Sequence, residues 1–279
     1  MGRTEKKMNL GLWALALGIT FVALKFTPLP ATELDPGRLL LEAVAKGQQA
    51  DVIALVEKKG VSLESRDESG RTPLLLAVAN NNFALAKILV DVGADANAQD
   101  KHGQTALIYG LKSRNREIIA LLLGKGIDLE LHNASGETAL IIAAGGGDEE
   151  SVALLLDRGA KTENVDKDGW TALIYAATSG REYVEVVKLL LSRGALVDAR
   201  DIYGYTALMY AVEIGKNKMV ALLVENGANL EVRYEEGQTL VEMAIEKGHI
   251  DTARLLVEKG AEIDPVSAEI LKEQQKKTQ

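Results

Sequence analysis

The stretch "GWTALIYAA" occupies residues 169 to 177, and "GYTALMYAV" follows at 204 to 212. Nearly the same nine residues stand earlier as "GQTALIYGL" from 103 to 111 and "GETALIIAA" from 136 to 144. Aligning the Gly-x-Thr positions gives Gly70, Gly103, Gly136, Gly169, Gly204 and Gly237, separated by 33, 33, 33, 35 and 33 residues. A fixed period of this size marks a stacked repeat architecture. The second half of each period recurs too, as "IIALLLGKGIDLELHN", "SVALLLDRGAKTENVD" and "VVKLLLSRGALVDARD".

Each period reads as two short helices. Thr72, Thr105, Thr138, Thr171, Thr206 and Thr239 stand where a helix begins, and a threonine oxygen there accepts from a free backbone N–H. Gly93, Gly126, Gly159, Gly194, Gly227 and Gly260 follow the Leu-rich second helices, where a left-handed residue ends the helix. A helix pair this short cannot bury its own apolar face, so neighbours must stack into one continuous core.

These residues resemble the ankyrin repeat. That family opens its first helix with Gly-x-Thr-Pro-Leu-His, and "GRTPLLLAV" at 70 to 78 is the nearest match. The resemblance covers about residues 36 to 264 as six full units. "DPGRLLLEAVAKGQQADVIALVEKKG" before them fits an N-terminal capping unit, counted here as the first of seven. It implies an all-α solenoid of stacked helix-turn-helix units with β-turn tips. The family's histidine, which ties neighbouring units by hydrogen bonds, is absent. Leu75, Ile108, Ile141, Ile174, Met209 and Glu242 take its place, so apolar packing is expected to do that work. Two residues are inserted in "TSGREYVEVV" of the fifth unit. Gly145, Gly146 and Gly147 predict a weak point in the fourth, since glycine costs a helix about 1 kcal/mol against alanine.

The N-terminus belongs to another kind of structure. Residues 8 to 24, "MNLGLWALALGITFVAL", carry no charge, with Arg3, Lys6 and Lys7 before them and Lys25 after. A spanning helix needs about 17–25 residues, and a signal peptide about 7–15 with a small-residue cleavage site. No Ala-x-Ala site precedes Ala23 or Ala31. We therefore expect a basic cytoplasmic head at 1–7, a transmembrane signal anchor at 8–26, and a Pro-rich linker at 27–35. The repeat domain follows at 36–264 and a polar tail or short helix at 265–279. A cleaved signal peptide is the alternative. The basic flank places the N-terminus inside and the repeats on the extracytoplasmic, periplasmic side.

Composition limits the chemistry. Formal net charge is -8, and removing the four basic residues and one acidic residue before Pro30 makes the remainder more acidic still. Such a surface repels phosphate backbones, which argues against nucleic acid. With no cysteine there is no disulfide or thiolate zinc site. His102 and His132 lie in turn regions, and His249 sits where the family carries a structural Gly-His. No set of three converging ligands, nucleophile elbow or phosphate loop is present. No enzyme activity, cofactor, metal or small-molecule substrate is expected.

A protein partner is expected instead. The resemblance implies binding through turn tips and the exposed side of the first helices. Trp170, Tyr203, Tyr205 and Tyr234 fall on three consecutive tips, with Asp168 and Glu236 making the rim acidic. Trp and Tyr are common interface anchors, so these six residues form the candidate protein-binding site. Tyr109, Tyr175 and Tyr210 are expected to pack within the array. The expected function is a membrane-anchored scaffold or adaptor. Inhibition of a secreted or periplasmic enzyme is the alternative, and a cytoplasm-facing scaffold a third reading.

Overall fold

Residues 35–58, 60–234 and 237–278 are described by a computed structural model. The expected head, anchor and nearly all of the linker lie outside the described residues, as does Glu236. Among the described residues no helix is long and apolar enough to cross a membrane.

From Pro36 onward the described residues form seven helix pairs and a last helix. The pairs are α1 (Pro36–Ala45) with α2 (Gln49–Val56), α3 (Pro73–Ala79) with α4 (Phe83–Asp91), and α5 (Ala106–Ser113) with α6 (Arg116–Leu123). Next come α7 (Ala139–Gly145) with α8 (Glu149–Asp157) and α9 (Ala172–Thr178) with α10 (Val184–Ser192). The last are α11 (Ala207–Glu213) with α12 (Asn217–Glu225) and α13 (Leu240–Glu246) with α14 (Ile250–Glu258), followed by α15 (Pro265–Thr278). Among the described residues there are no strands, only isolated bridges such as Gln99 to Thr105 and Val165 to Thr171 that close the turn fingers.

The helix starts are made by threonine. In each of the six full units the threonine Oγ1 accepts from the N–H three residues on, as Thr105 does from Ile108 at 3.2 Å. In the seventh unit Glu242 adds the reciprocal bond, taking the Thr239 N–H at 2.6 Å. The glycines after α4, α6, α8, α10, α12 and α14 all have positive φ.

First helices pack on first helices from α1 to α13, and second helices form a parallel layer. Leu75, Ile108, Ile141, Ile174 and Met209, which replace the family's histidine, are buried between units. They do not hold the units together alone. A side-chain oxygen in each loop takes a backbone N–H of the next unit: Glu64 from Asp95, Asn97 from Asp128, Glu130 from Lys161, Glu163 from Leu196, Asp198 from Asn229 and Glu231 from Glu262, at 2.9 to 3.3 Å. The expectation of purely apolar coupling is thus corrected. The loop carboxylates and amides follow the same period as the helices and supply polar ties where the histidine would have done so.

The residues after Pro265 form helix α15, begun by Asp264, whose Oδ1 accepts from the N–H groups of Val266 and Ser267. Leu271 and Ser267 turn inward, and the helix packs on α13 and α14. It therefore covers the apolar end that a last repeat would otherwise expose.

The glycine run leaves room for rings. A Cβ on Gly145 would stand 3.2 Å from the Tyr175 ring, and one on Gly147 would overlap the Tyr183 ring. The second-helix layer is thinnest nearby, between α6 and α8; every other neighbouring pair of second helices packs more closely. An open cleft of about 280 Å³ lies there, lined by Ile119, Ala120, Leu154 and the Arg116–Glu150 ion pair. Stability is lowest where apolar contacts are fewest. Amide hydrogen exchange is therefore expected to be faster in α6 and α8 than in α4 and α12. Equal protection across the four helices would remove this reading of the seam.

Candidate protein-binding surface

Each turn finger is organised by one side chain. Asp67, Asp100, Asn133, Asp166 and Asp201 each use Oδ1 to accept two backbone N–H groups across the turn. Successive tips are also joined. Lys101 N–H donates to Ser69 O, Ala134 to His102, Lys167 to Ser135 and Ile202 to Asp168, at 2.8 to 3.1 Å.

A tyrosine nine residues later uses the second carboxylate oxygen. The hydroxyls of Tyr109, Tyr175 and Tyr210 donate to Oδ2 of Asp100, Asp166 and Asp201 at 2.7, 2.7 and 2.5 Å. In the fourth unit that tyrosine is Ile142, and the turn residue is Asn133 rather than Asp. In the second it is Leu76, and Asp67 pairs with Arg71 at 2.8 Å instead. Burial, then the adjoining carboxylate, raises the Tyr109 phenol to about 12; the same causes raise Tyr175 and Tyr210 further.

A raised phenol pKa favours the folded state while the phenol is protonated. This contribution is complete below the ordinary tyrosine value near 10 and is lost as pH rises through the folded value. Ultraviolet titration is expected to show a tyrosine phase ionising late, near pH 12 and above. Replacing Tyr109, Tyr175 and Tyr210 with phenylalanine should reduce it by three residues. A single phase near pH 10 in the folded wild type would contradict these bonds.

The rings of the fifth to seventh units touch in series. Trp170 meets Tyr175 edge-on at 5.1 Å and Tyr210 at 4.9 Å between centroids. Tyr205 meets Tyr210 at 5.1 Å and Tyr234 at 6.4 Å. The sequence places Trp170, Tyr205 and Tyr234 on tips as open rings. In the structure Trp170 and Tyr205 are half-buried, and Tyr234 is 9% exposed with its hydroxyl on Glu246 at 2.9 Å. For Trp170 and Tyr205 the finger geometry is the cause, because the residue after the tip glycine turns back over its own first helix; Tyr234, three residues before Gly237, is covered instead against Tyr205 and Glu246. Tyr203 points outward, 69% exposed, and Asp168 is exposed as well.

Beside Tyr203 lies Ile202, 62% exposed, which the sequence reading missed. Its signal was available in the repeat itself. The equivalent tip residues are Glu68, Lys101, Ala134 and Lys167, so only the sixth unit carries two large apolar residues there. Tyr175 and Tyr210, assigned to packing, also belong to this face, because they join Trp170 and Tyr205 into one row.

His249 Nε2 lies 3.0 Å from the Glu213 carbonyl and ties the seventh unit to the sixth. Among the described residues no group of three or more His, Asp or Glu side chains is arranged to hold a metal ion.

The model of the ankyrin repeats family matches three times, over residues 40–133, 125–201 and 185–267. Solved structures agree. The ankyrin repeat domain of Bcl-3, described as a unique member of the IkappaB protein family, is 34% identical with a TM-score of 0.68, over 77% of this chain and 97% of that one. An ankyrin repeat domain from Acinetobacter baumannii AYE is 34% identical with a TM-score of 0.64, over 68% and 98%. The human ASB11 ankyrin repeat domain is 26% identical with a TM-score of 0.66, over 81% and 99%. A stretch of 68 residues is 34% identical to the palmitoyltransferase akr1 of Emericella nidulans, covering 24% of this chain and 9% of that protein. The match lies in a repeat region, and the chain spans about a tenth of that relative's length. Ankyrin repeats are protein-interaction modules, and with family matches running from residue 40 to 267 this chain belongs to the ankyrin repeat family.

Proposed function

We propose that this protein is a membrane-anchored, non-enzymatic adaptor. Its repeat array holds one protein partner on the extracytoplasmic side, through the tips and first helices of the fifth to seventh units. The observation carrying this reading is the exposed Ile202–Tyr203 tip beside the Trp170–Tyr205 ring row, on a fold that serves protein interaction. Large apolar side chains set into solvent next to fixed rings are how interface anchors are built. The anchor rests on the uncharged run 8 to 24 and its basic flank.

Two measurements test it. A reporter that works only after export, fused at Gln279, should be active, and a reporter that works only in the cytoplasm should not. In-cell cross-linking followed by affinity capture should recover a partner with wild type and with Lys101→Ser/His102→Ala. Ile202→Ser/Tyr203→Ala should lose it while keeping the same helical signal. Capture unchanged by the sixth-unit variant would place binding elsewhere and defeat the assignment.

A further inference from the structure

The ring row has a consistent electrostatic setting. Asp166 and Asp201 sit under the phenols of Tyr175 and Tyr210, 2.7 and 2.5 Å away. Glu137 Oε1 is 3.5 Å from the Tyr175 hydroxyl. Glu246 accepts from Tyr234, and Asp168 is exposed on the tip beside Trp170. Cations on this side include Lys247, which Glu213 holds at 2.7 Å, and Lys167, exposed on the fifth tip next to Asp168. Arg200 is turned to the Gly204 carbonyl along its own finger. In the second and third units the equivalent places hold Arg71 and Lys112, both engaged by Asp67 and Gln104, and the row of touching rings is absent.

Aromatic faces attract cations, most strongly where carboxylates lie close and water is partly displaced. A planar guanidinium can stack on a ring while donating to an adjoining carboxylate. Resting on the protein-binding reading above, we propose that this face receives an arginine-bearing extended segment of the partner. Its guanidinium groups stack along Trp170 and Tyr205 and donate to Asp168 and Glu246. Ile202 and Tyr203 cover the segment's apolar side. Charge complementarity selects this occupant. An acidic segment would meet the exposed carboxylates of Asp168 and Glu246, and a neutral one would bring them no cation.

The probe is an unstructured Gly-Ser peptide bearing spaced arginines, with a glutamate-bearing counterpart and a plain Gly-Ser peptide as controls. The full-length chain is titrated and Trp170 emission is followed; Trp13 is the only other tryptophan and lies outside the repeats. The arginine peptide should shift the emission, and added salt should weaken it by screening the exposed carboxylates. Asp168→Asn/Glu246→Gln should weaken binding about tenfold. Gln104→Ala, in the third unit, should leave it unchanged. No response to the arginine peptide, an equal response to either control, or indifference to the carboxylate variant would each overturn the proposal. If the arginine peptide fails while partner capture still depends on Ile202 and Tyr203, the cationic occupant falls and the protein-binding reading stands.

Discussion

Gly136→Ala is expected to destabilise the array by about 3 kcal/mol, which is large for adding one methyl group. Gly136 has φ +88°, where an L side chain costs about 1–2 kcal/mol. Its Cβ would also stand 2.9 Å from Asp166 Cα and from Lys167 N, both in the next tip's backbone. Neither atom can rotate away, so the next finger must move. That movement strains the bond from Lys167 N–H to Ser135 O, now 3.0 Å. Gly159 provides the control within the same unit. Its φ is +87°, but a Cβ there meets nothing within 4 Å. Gly159→Ala should therefore cost only the conformational part, about 1–2 kcal/mol. Urea unfolding followed by Trp170 fluorescence measures both, with the change read from the midpoint at constant slope. Equal costs for the two variants would show that the tips do not press on one another.

Asp201→Ala is expected to cost a comparable amount, about 3 kcal/mol. The carboxylate is 7% exposed and accepts from Tyr203 N–H, Tyr205 N–H and the Tyr210 hydroxyl. Alanine leaves two turn N–H groups and a half-buried phenol without that acceptor. Asp201→Asn should cost only about 1 kcal/mol, because its oxygen still serves the two N–H groups. Asn133 shows that asparagine builds this turn. The converse change, Asn133→Asp, should destabilise. Asn133 Nδ2 now donates to Glu137 at 2.6 Å, and a carboxylate there would oppose another. Thermal melts of the three variants would check the order. A neutral Asp201→Ala would mean that the fingers do not depend on their Asx residues.

The period of the Gly-x-Thr motif made the fold legible, because each threonine and glycine has a local task that no distant residue alters. The caps at Thr72 through Thr239 and the left-handed glycines from Gly93 to Gly260 follow directly. What holds the units together was less legible. Glu64, Asn97, Glu163 and Asp198 recur at the repeat period, but a periodic polar residue in a loop does not by itself show that its side chain reaches the next unit's backbone. The candidate site was half legible. Ring positions could be read, but not their orientation. Trp170 and Tyr205 fold back onto Tyr210, so Tyr203 and the overlooked Ile202 are left as the outward pair. Orientation depends on the direction in which each finger turns, and that direction is set by Asp166 and Asp201 gripping two N–H groups apiece.

The most direct measurement is site-specific photo-cross-linking in cells. A photoreactive amino acid replaces Tyr203 in one variant and His102, the equivalent residue of the third unit, in another. A discrete adduct from position 203 and none from position 102 is the predicted result. Adducts of equal yield from both positions, or an adduct from 102 alone, would contradict binding at the fifth to seventh units.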